Sequence, residues 1–73
     1  MKTIITTVRF KRYGEFEGTG FYDVDIPKDT KEDNEVEVIM NELRPILQEE
    51  FEDDEDWENG NIEWTLHTWA EDK

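Results

Sequence analysis

Thr3-Ile4-Ile5-Thr6-Thr7-Val8-Arg9-Phe10-Lys11-Arg12-Tyr13 alternates with a period of two: Ile4, Thr6, Val8 and Phe10 share one side, and Ile5, Thr7, Arg9 and Lys11 share the other. That period, in a run rich in β-branched residues, predicts a long strand. Its length and its apolar residues on both sides predict the central position in a sheet. Downstream, Gly14, Gly18 and Gly20, with acidic residues between them, read as a flexible turn, and Phe21 to Ile26 resumes the alternation with Tyr22, Val24 and Ile26 on one side. A hairpin follows. For both apolar sets to share a face, paired positions must sum to an even number. The expected registers then set Arg9 or Lys11 opposite Asp23, with Asp25 close by, each cross-strand charge pair contributing a few tenths of a kcal/mol.

Pro27 cannot donate to a ladder and ends the second strand. Asp29 or Thr30, followed three residues later by Glu32 or Asp33, reads as a helix start. Val36, Ile39, Met40, Leu43, Ile46, Leu47 and Phe51 recur at helical spacing, with Glu35, Glu42 and Glu49 opposite them, the pattern of an amphipathic helix packed on a sheet. Pro45 removes the hydrogen bond to the Asn41 carbonyl and crowds it. Because the apolar stripe continues past it, a kink is expected rather than a break. Asn59-Gly60-Asn61 is a turn cluster, and Ile62 to Trp69 alternates again, with Ile62, Trp64 and Leu66 inward. A right-handed crossover through the helix places this third strand on the free side of the first. The expected fold is α+β with ββαβ topology: a three-stranded antiparallel sheet in the order 2-1-3, one Pro-kinked amphipathic helix on one face, and a single domain over residues 1–73. The terminal Glu71-Asp72-Lys73 is expected to fray.

The totals bound the function. With no cysteine, the chain has neither a disulfide framework nor a thiolate metal site, which suits a reducing cytosol. No apolar run approaches the roughly 20 residues of a membrane span, and Met1-Lys2-Thr3-Ile4-Ile5 lacks a signal peptide's apolar segment, so a cytoplasmic protein is expected. A net charge of −13 on 73 residues raises the question of disorder, but the nine aromatic residues and the periodicities point to a fold. Residues 1–31 hold six basic and five acidic side chains, whereas 32–73 hold two and sixteen. The expected result is one strongly negative face that repels nucleic acid and anionic membranes and attracts basic surfaces.

That charge peaks in Glu49-Glu50-Phe51-Glu52-Asp53-Asp54-Glu55-Asp56-Trp57-Glu58, eight carboxylates in ten residues with no base. At the exit of a helix the dipole disfavours added carboxylates by about 0.3 to 1 kcal/mol each, so a use outside the fold is expected. Phe51 and Trp57 interrupt the acids as apolar anchors do in interface hot spots; folding back onto the core is their other use. Glu35, Glu42 and Glu49 stand about 10 Å apart along the helix, too sparse alone to match phosphates spaced about 3.4 Å along a strand, but extended by the run. The outer sheet face is expected to carry Ile5, Tyr13, Phe21 and Trp69, a second docking patch or a dimer contact.

Other chemistry is thinly supplied. The chain has no serine or cysteine and a single histidine, His67, expected to be exposed beside Thr65 and Trp69, so no enzymatic activity is expected. Asp53, Asp54, Asp56 and Glu58 are hard oxygen donors, but Asn59 stands where a calcium loop requires glycine and Glu63 misses the twelfth place. Only weak, adventitious calcium binding is expected, and no cofactor.

A short, cysteine-free, strongly acidic α+β chain in which a carboxylate and aromatic run, Glu49–Glu58, feeds a strand, Ile62–Trp69, resembles the phage-encoded DNA-mimic inhibitors, including anti-restriction and type II-A anti-CRISPR proteins. Arg9, Lys11 and Arg12 depart from an all-acidic mimic. The resemblance implies an inhibitor whose partner is a basic, nucleic-acid-binding protein such as a CRISPR or restriction nuclease, engaged where its DNA would lie. The residues expected to meet it are Glu49, Glu50, Glu52, Asp53, Asp54, Glu55, Asp56, Trp57 and Glu58, with Glu35 and Glu42.

Overall fold

The computed structural model describes residues 1–72. Three antiparallel strands, β1 (Lys2–Arg12), β2 (Glu15–Ile26) and β3 (Ile62–Glu71), form one sheet in the order β2-β1-β3. Helix α1 (Glu32–Glu50) and a four-residue helix, α2 (Glu55–Glu58), connect β2 to β3. This is the expected α+β architecture, with the first strand central. The alternation read from the sequence appears as burial: Ile4, Thr6, Val8 and Phe10 of β1 face α1 and are buried, as are Val24 and Ile26 of β2. They meet Ile39, Leu43 and Leu47, each fully buried, which are the centre of the predicted stripe. At its margin Ile46 is exposed and Val36 and Met40 are half-buried. α1 runs through Pro45 as one uninterrupted element and lies chiefly over β2. None of the described helices is long and apolar enough to cross a membrane.

The hairpin departs from expectation. The glycine-rich segment is strand, not loop: β2 begins at Glu15, and the turn is Tyr13-Gly14 alone, both residues at positive φ (52° and 78°), as a two-residue hairpin turn requires. Thr3 to Phe10 pair with Asp25 to Gly18, each pair summing to 28. The sum is even, as required, but Asp23 stands opposite Ile5, and Arg9 stands opposite Thr19. Beyond Phe10 the register slips by one: Lys11 pairs with Phe16, leaving Glu17 as the extra residue of a bulge. Gly20 is needed for space. A Cβ there would stand 2.7 Å from Cε2 of Tyr22 and 2.8 Å from its hydroxyl oxygen, so the Tyr22 ring lies across the glycine, edge-on to Phe10.

A second bulge shifts β3. Val8 pairs with Leu66 but Thr7 with Thr68, so His67 is the extra residue and the face of every later side chain changes. Trp69 consequently stands opposite Thr6, on the helix side of the sheet and 40% exposed, not on the outer face. Glu71 and Asp72 are tied down rather than frayed: Glu71 is in β3, and the Asp72 amide donates to the Thr3 carbonyl at 2.9 Å. The expected fraying of Lys73 lies outside the described residues. At the start of α1, Thr30 donates through both amide and hydroxyl to the Pro27 carbonyl and closes a turn, while the N-cap position falls to Lys31, which makes no side-chain cap. Glu32, Asp33 and Glu35 in the first turn complement the dipole there.

Candidate functional site

The run Glu49–Glu58 spans two helix ends rather than one. Glu49 and Glu50 close α1, whose last turn has no basic residue, and Phe51 caps it. Asp54 is the N-cap of α2, its carboxylate accepting from the Asp56 amide at 3.0 Å, so Asp54, Glu55 and Asp56 sit where a helix start favours negative charge. The helix dipole therefore disfavours only the first carboxylates of the run, Glu49 and Glu50.

Arg12 fixes the geometry. Position 12 shares the parity of the buried side of β1, so its guanidinium points beneath α2. Its Nη2 donates to Asp54 Oδ2 at 2.9 Å and its Nη1 to Asp54 Oδ1 at 3.2 Å and to Asp56 Oδ2 at 2.5 Å. Nε reaches Glu17 Oε1 at 2.5 Å from the bulge in β2. Three carboxylates from two separate segments thus converge on one cation, a planar fork suited to paired contacts. The adjoining turn adds a second tie: the Tyr13 hydroxyl donates to Asp56 Oδ1 at 2.5 Å, and the Tyr13 amide donates to the Asn61 carbonyl at 2.9 Å.

The titration behaviour follows from these contacts. Hydrogen bonding to Arg12 holds the Asp54 carboxyl below its ordinary range; for Asp56 the Tyr13 hydroxyl is the larger cause and Arg12 the second. The same contacts raise the Arg12 guanidinium, through Asp54 first, then Glu17 and Asp56, and the bond to Asp56 raises the Tyr13 phenol. At the far end of the run, Glu50 accepts from the Tyr22 hydroxyl. Burial and then that carboxylate push the Tyr22 phenol up.

The aromatics of the run fold back. Trp57 stacks on Phe51 with centroids 5.1 Å apart and planes 10° from parallel, Phe51 packs edge-on against Phe10 at 5.2 Å, and the Trp57 indole N–H donates to Gln48 Oε1 at 3.0 Å. Both are half-buried against the core, so Trp57 is not the projecting anchor expected of it. The run is thereby divided. Asp54, Asp56 and Trp57 are half-buried and tied by side-chain hydrogen bonds, and Glu50, though exposed, accepts from Tyr22, while Glu49, Glu52, Asp53, Glu55 and Glu58 are exposed and their carboxylates have no hydrogen-bond or ion-pair partner among the described residues. Of the helix strip, Glu35 pairs with Lys2 at 3.4 Å and Glu42 is exposed. Two of the calcium-type donors, Asp54 and Asp56, face Arg12, and no group of three or more acidic or histidine side chains among the described residues is arranged to hold a metal.

The sequence placed Tyr13 on the outer sheet face, offered Arg12 only as a departure from an all-acidic mimic and left Glu17 without a role; instead Tyr13 sits in the hairpin turn with its hydroxyl on Asp56, and Arg12 and Glu17 meet at the acidic run. One signal for Arg12 was present: a cation at an inward position of a strand calls for a carboxylate partner, and the run downstream is the richest source. Glu17 was not readable, because its role depends on the bulge. Comparison of the chain with protein-family models, with curated proteins and with solved structures finds no match.

Proposed function

We propose that this chain is a non-catalytic, acidic DNA-mimic inhibitor that occupies the basic nucleic-acid-binding site of a host defence nuclease, such as a CRISPR effector or a restriction enzyme, in the host cytoplasm. The observation that carries this reading is the division of the acidic run: five exposed carboxylates without a partner among the described residues, Glu49, Glu52, Asp53, Glu55 and Glu58, are spread from the end of α1 through the connecting turn to α2, a segment that Arg12 and the Phe51–Trp57 stack hold in place. Fixed charges bind a cationic cleft without the ordering cost that a flexible acidic tail meets on association. In this reading the five free carboxylates stand in for phosphates, with Glu42 beside them, and Glu50, Asp54, Asp56 and Trp57 set their positions.

The test is competition. Added to an RNA-guided nuclease before target DNA, the chain should block DNA binding; added after the DNA is bound, it should not. Inhibition should weaken steeply as salt rises, because the attraction is between surface charges. Replacing the five free carboxylates with their amides should abolish it while leaving the fold intact. Binding indifferent to both salt and amidation would sink the proposal.

A specific observation favours a second reading, a structural or regulatory adaptor that docks through the outer sheet face. None of the described residues forms a layer over that face, and Phe21, Phe16 and Ile5 on it are 74%, 56% and 43% exposed. An adaptor would lose its partner on Phe21→Glu and keep it when the acidic run is neutralised.

A further inference from the structure

The outer face is ordered along the strands. Thr7 of β1 and Phe21 of β2 form its middle row. Towards one end stand the rows Ile5/Asp23 and Thr3/Asp25, towards the other Arg9/Thr19 and Lys11/Phe16. Asp23 and Asp25 thus occupy the two rows on one side of Phe21, and Arg9 and Lys11 the two rows on the other, where Glu63 of β3 stands beside Lys11. The Arg9 guanidinium lies 4.9 Å above the Phe16 ring, and neither Arg9 nor Lys11 has an ion-pair partner among the described residues. Around them is an open depression of about 410 Å³ lined by Arg9, Lys11, Phe16, Thr65, Leu66 and His67.

This arrangement is complementary to itself. Rotation by 180° about an axis lying in the face, perpendicular to the strands and through the Thr7/Phe21 row, carries the row of Arg9 onto that of Ile5/Asp23 and the row of Lys11 onto that of Thr3/Asp25. Phe21 is carried onto Phe21. We propose that two copies of this chain pair through their outer sheet faces about that axis, with Arg9 and Lys11 of each protomer set against Asp23 and Asp25 of its partner and the two Phe21 rings meeting at the centre. This inference deepens the second reading above and leaves the first untouched.

Three physical points support the pairing. A twofold interface must be complementary to itself, and a face with Asp23 and Asp25 at one end, Phe21 at the centre and Arg9 and Lys11, opposed by Glu63, at the other meets that requirement. Two sheets stack face to face about 10 Å apart, a gap that exposed Phe21 and Ile5 side chains from both copies can fill. The pairing also puts both helical layers, with their acidic runs, on the two far sides, which keeps the largest like charges apart. Three strands about 4.8 Å apart, over eight residues of about 3.4 Å, give a face of roughly 400 Å² in plan, so association belongs at the weak end of the size range.

The experiment is sedimentation equilibrium with designed charge swaps. The parent chain should move from 8.8 kDa towards twice that mass as concentration rises, and Phe21→Glu should keep it at the monomer mass. Arg9→Asp with Lys11→Asp makes both ends anionic, and Asp23→Lys with Asp25→Lys makes both ends cationic, so each double variant alone should stay monomeric. Mixed, they should form a heterodimer with opposite charges at both ends. Glu63, which stands beside Lys11 and weakens the cationic end, should strengthen self-association on Glu63→Gln. Circular dichroism verifies the fold of each variant; where a double swap unfolds, Arg9→Asp and Asp23→Lys replace it. A parent chain monomeric at every concentration, or mixed variants that remain monomers, would overturn the dimer. Monomeric behaviour combined with loss of a different protein partner on Phe21→Glu would overturn it while leaving the adaptor reading standing.

Discussion

Asp53 and Asp54 are adjacent and carry the same group, yet Asp54 accepts two hydrogen bonds from Arg12 and one from the Asp56 amide while Asp53 points to solvent without a partner among the described residues. The same contrast separates Asp56 from Glu55, and Glu50 from Glu49. An acidic run need not have one purpose. Its members are sorted by which of them the backbone turns towards β1 and β2, and charge count alone cannot sort them. A stability effect is therefore expected from one half of the run and a binding effect from the other.

The largest effect should come from Arg12→Ala. It removes the one cation on which Asp54, Asp56 and Glu17 converge and leaves three like charges close together beneath α2. The melting temperature is expected to fall by about 5 °C or more, measured by circular dichroism at neutral pH. A variant as stable as the parent would show that α2 is held by its aromatic stack alone and would remove the distinction between the two halves.

Acid offers a second way to probe it. The folded Asp54 and Asp56 carboxyls titrate below their unfolded values, so the unfolded chain binds more protons over that interval. Their contribution is complete above the ordinary carboxylate range, near 3.9, and is lost as pH falls through the folded values. The gap in melting temperature between the parent and Arg12→Ala should be constant around neutrality, begin to narrow below about pH 5, and go on closing as pH falls through the lowered folded values. Tyr13 and Tyr22 act in the opposite sense. Their raised phenols favour the fold below the ordinary tyrosine range and lose that advantage as pH rises beyond it.

A direct comparison of neighbours should be smaller but cleaner. Asp54→Asn removes a charged acceptor from Arg12 and should lower the urea midpoint. Asp53→Asn should stay within about 0.5 kcal/mol of the parent, as exposed substitutions usually do. Reading the run from the dipole alone leads one to expect Asp53, Asp54 and Asp56 to behave alike and their neutralisation to be harmless; the contacts of Asp54 and Asp56 overturn that for two of the three.

What was legible in the sequence follows from periodicity. β1, the stripe Ile39–Leu43–Leu47 and the order β2-β1-β3 depend on alternation that local composition already carries. What was not legible depends on single inserted residues. The bulge at Glu17 turns Phe16 outward under Arg9, and the bulge at His67 turns Trp69 from the expected outer face to the helix side. Neither has a sequence mark, because an extra residue in one strand is defined by its partner. Tyr13-Gly14 is a weaker turn signal than Asn-Gly or Asp-Gly, and three glycines in seven residues suggested a loop. The structure instead uses Gly20 to let the Tyr22 ring cross the strand.

The smallest effect concerns that crossing. Tyr22 is half-buried, and its hydroxyl donates to Glu50 across the groove between β2 and the end of α1. Tyr22→Phe keeps the ring over Gly20 and against Phe10 and deletes only the donor. The expected cost is about 0.5 to 1.5 kcal/mol, that of one intramolecular hydrogen bond, at the lower end because Glu50 is exposed and water can replace the phenol. Glu50→Gln keeps an acceptor and should cost less still. Glu49→Gln, one residue away with no partner to lose, should be neutral in urea. If Tyr22→Phe and Glu49→Gln proved equally silent, Glu50 would pass from the bound half of the run to the free half, and the surface offered to a partner would contain six carboxylates instead of five.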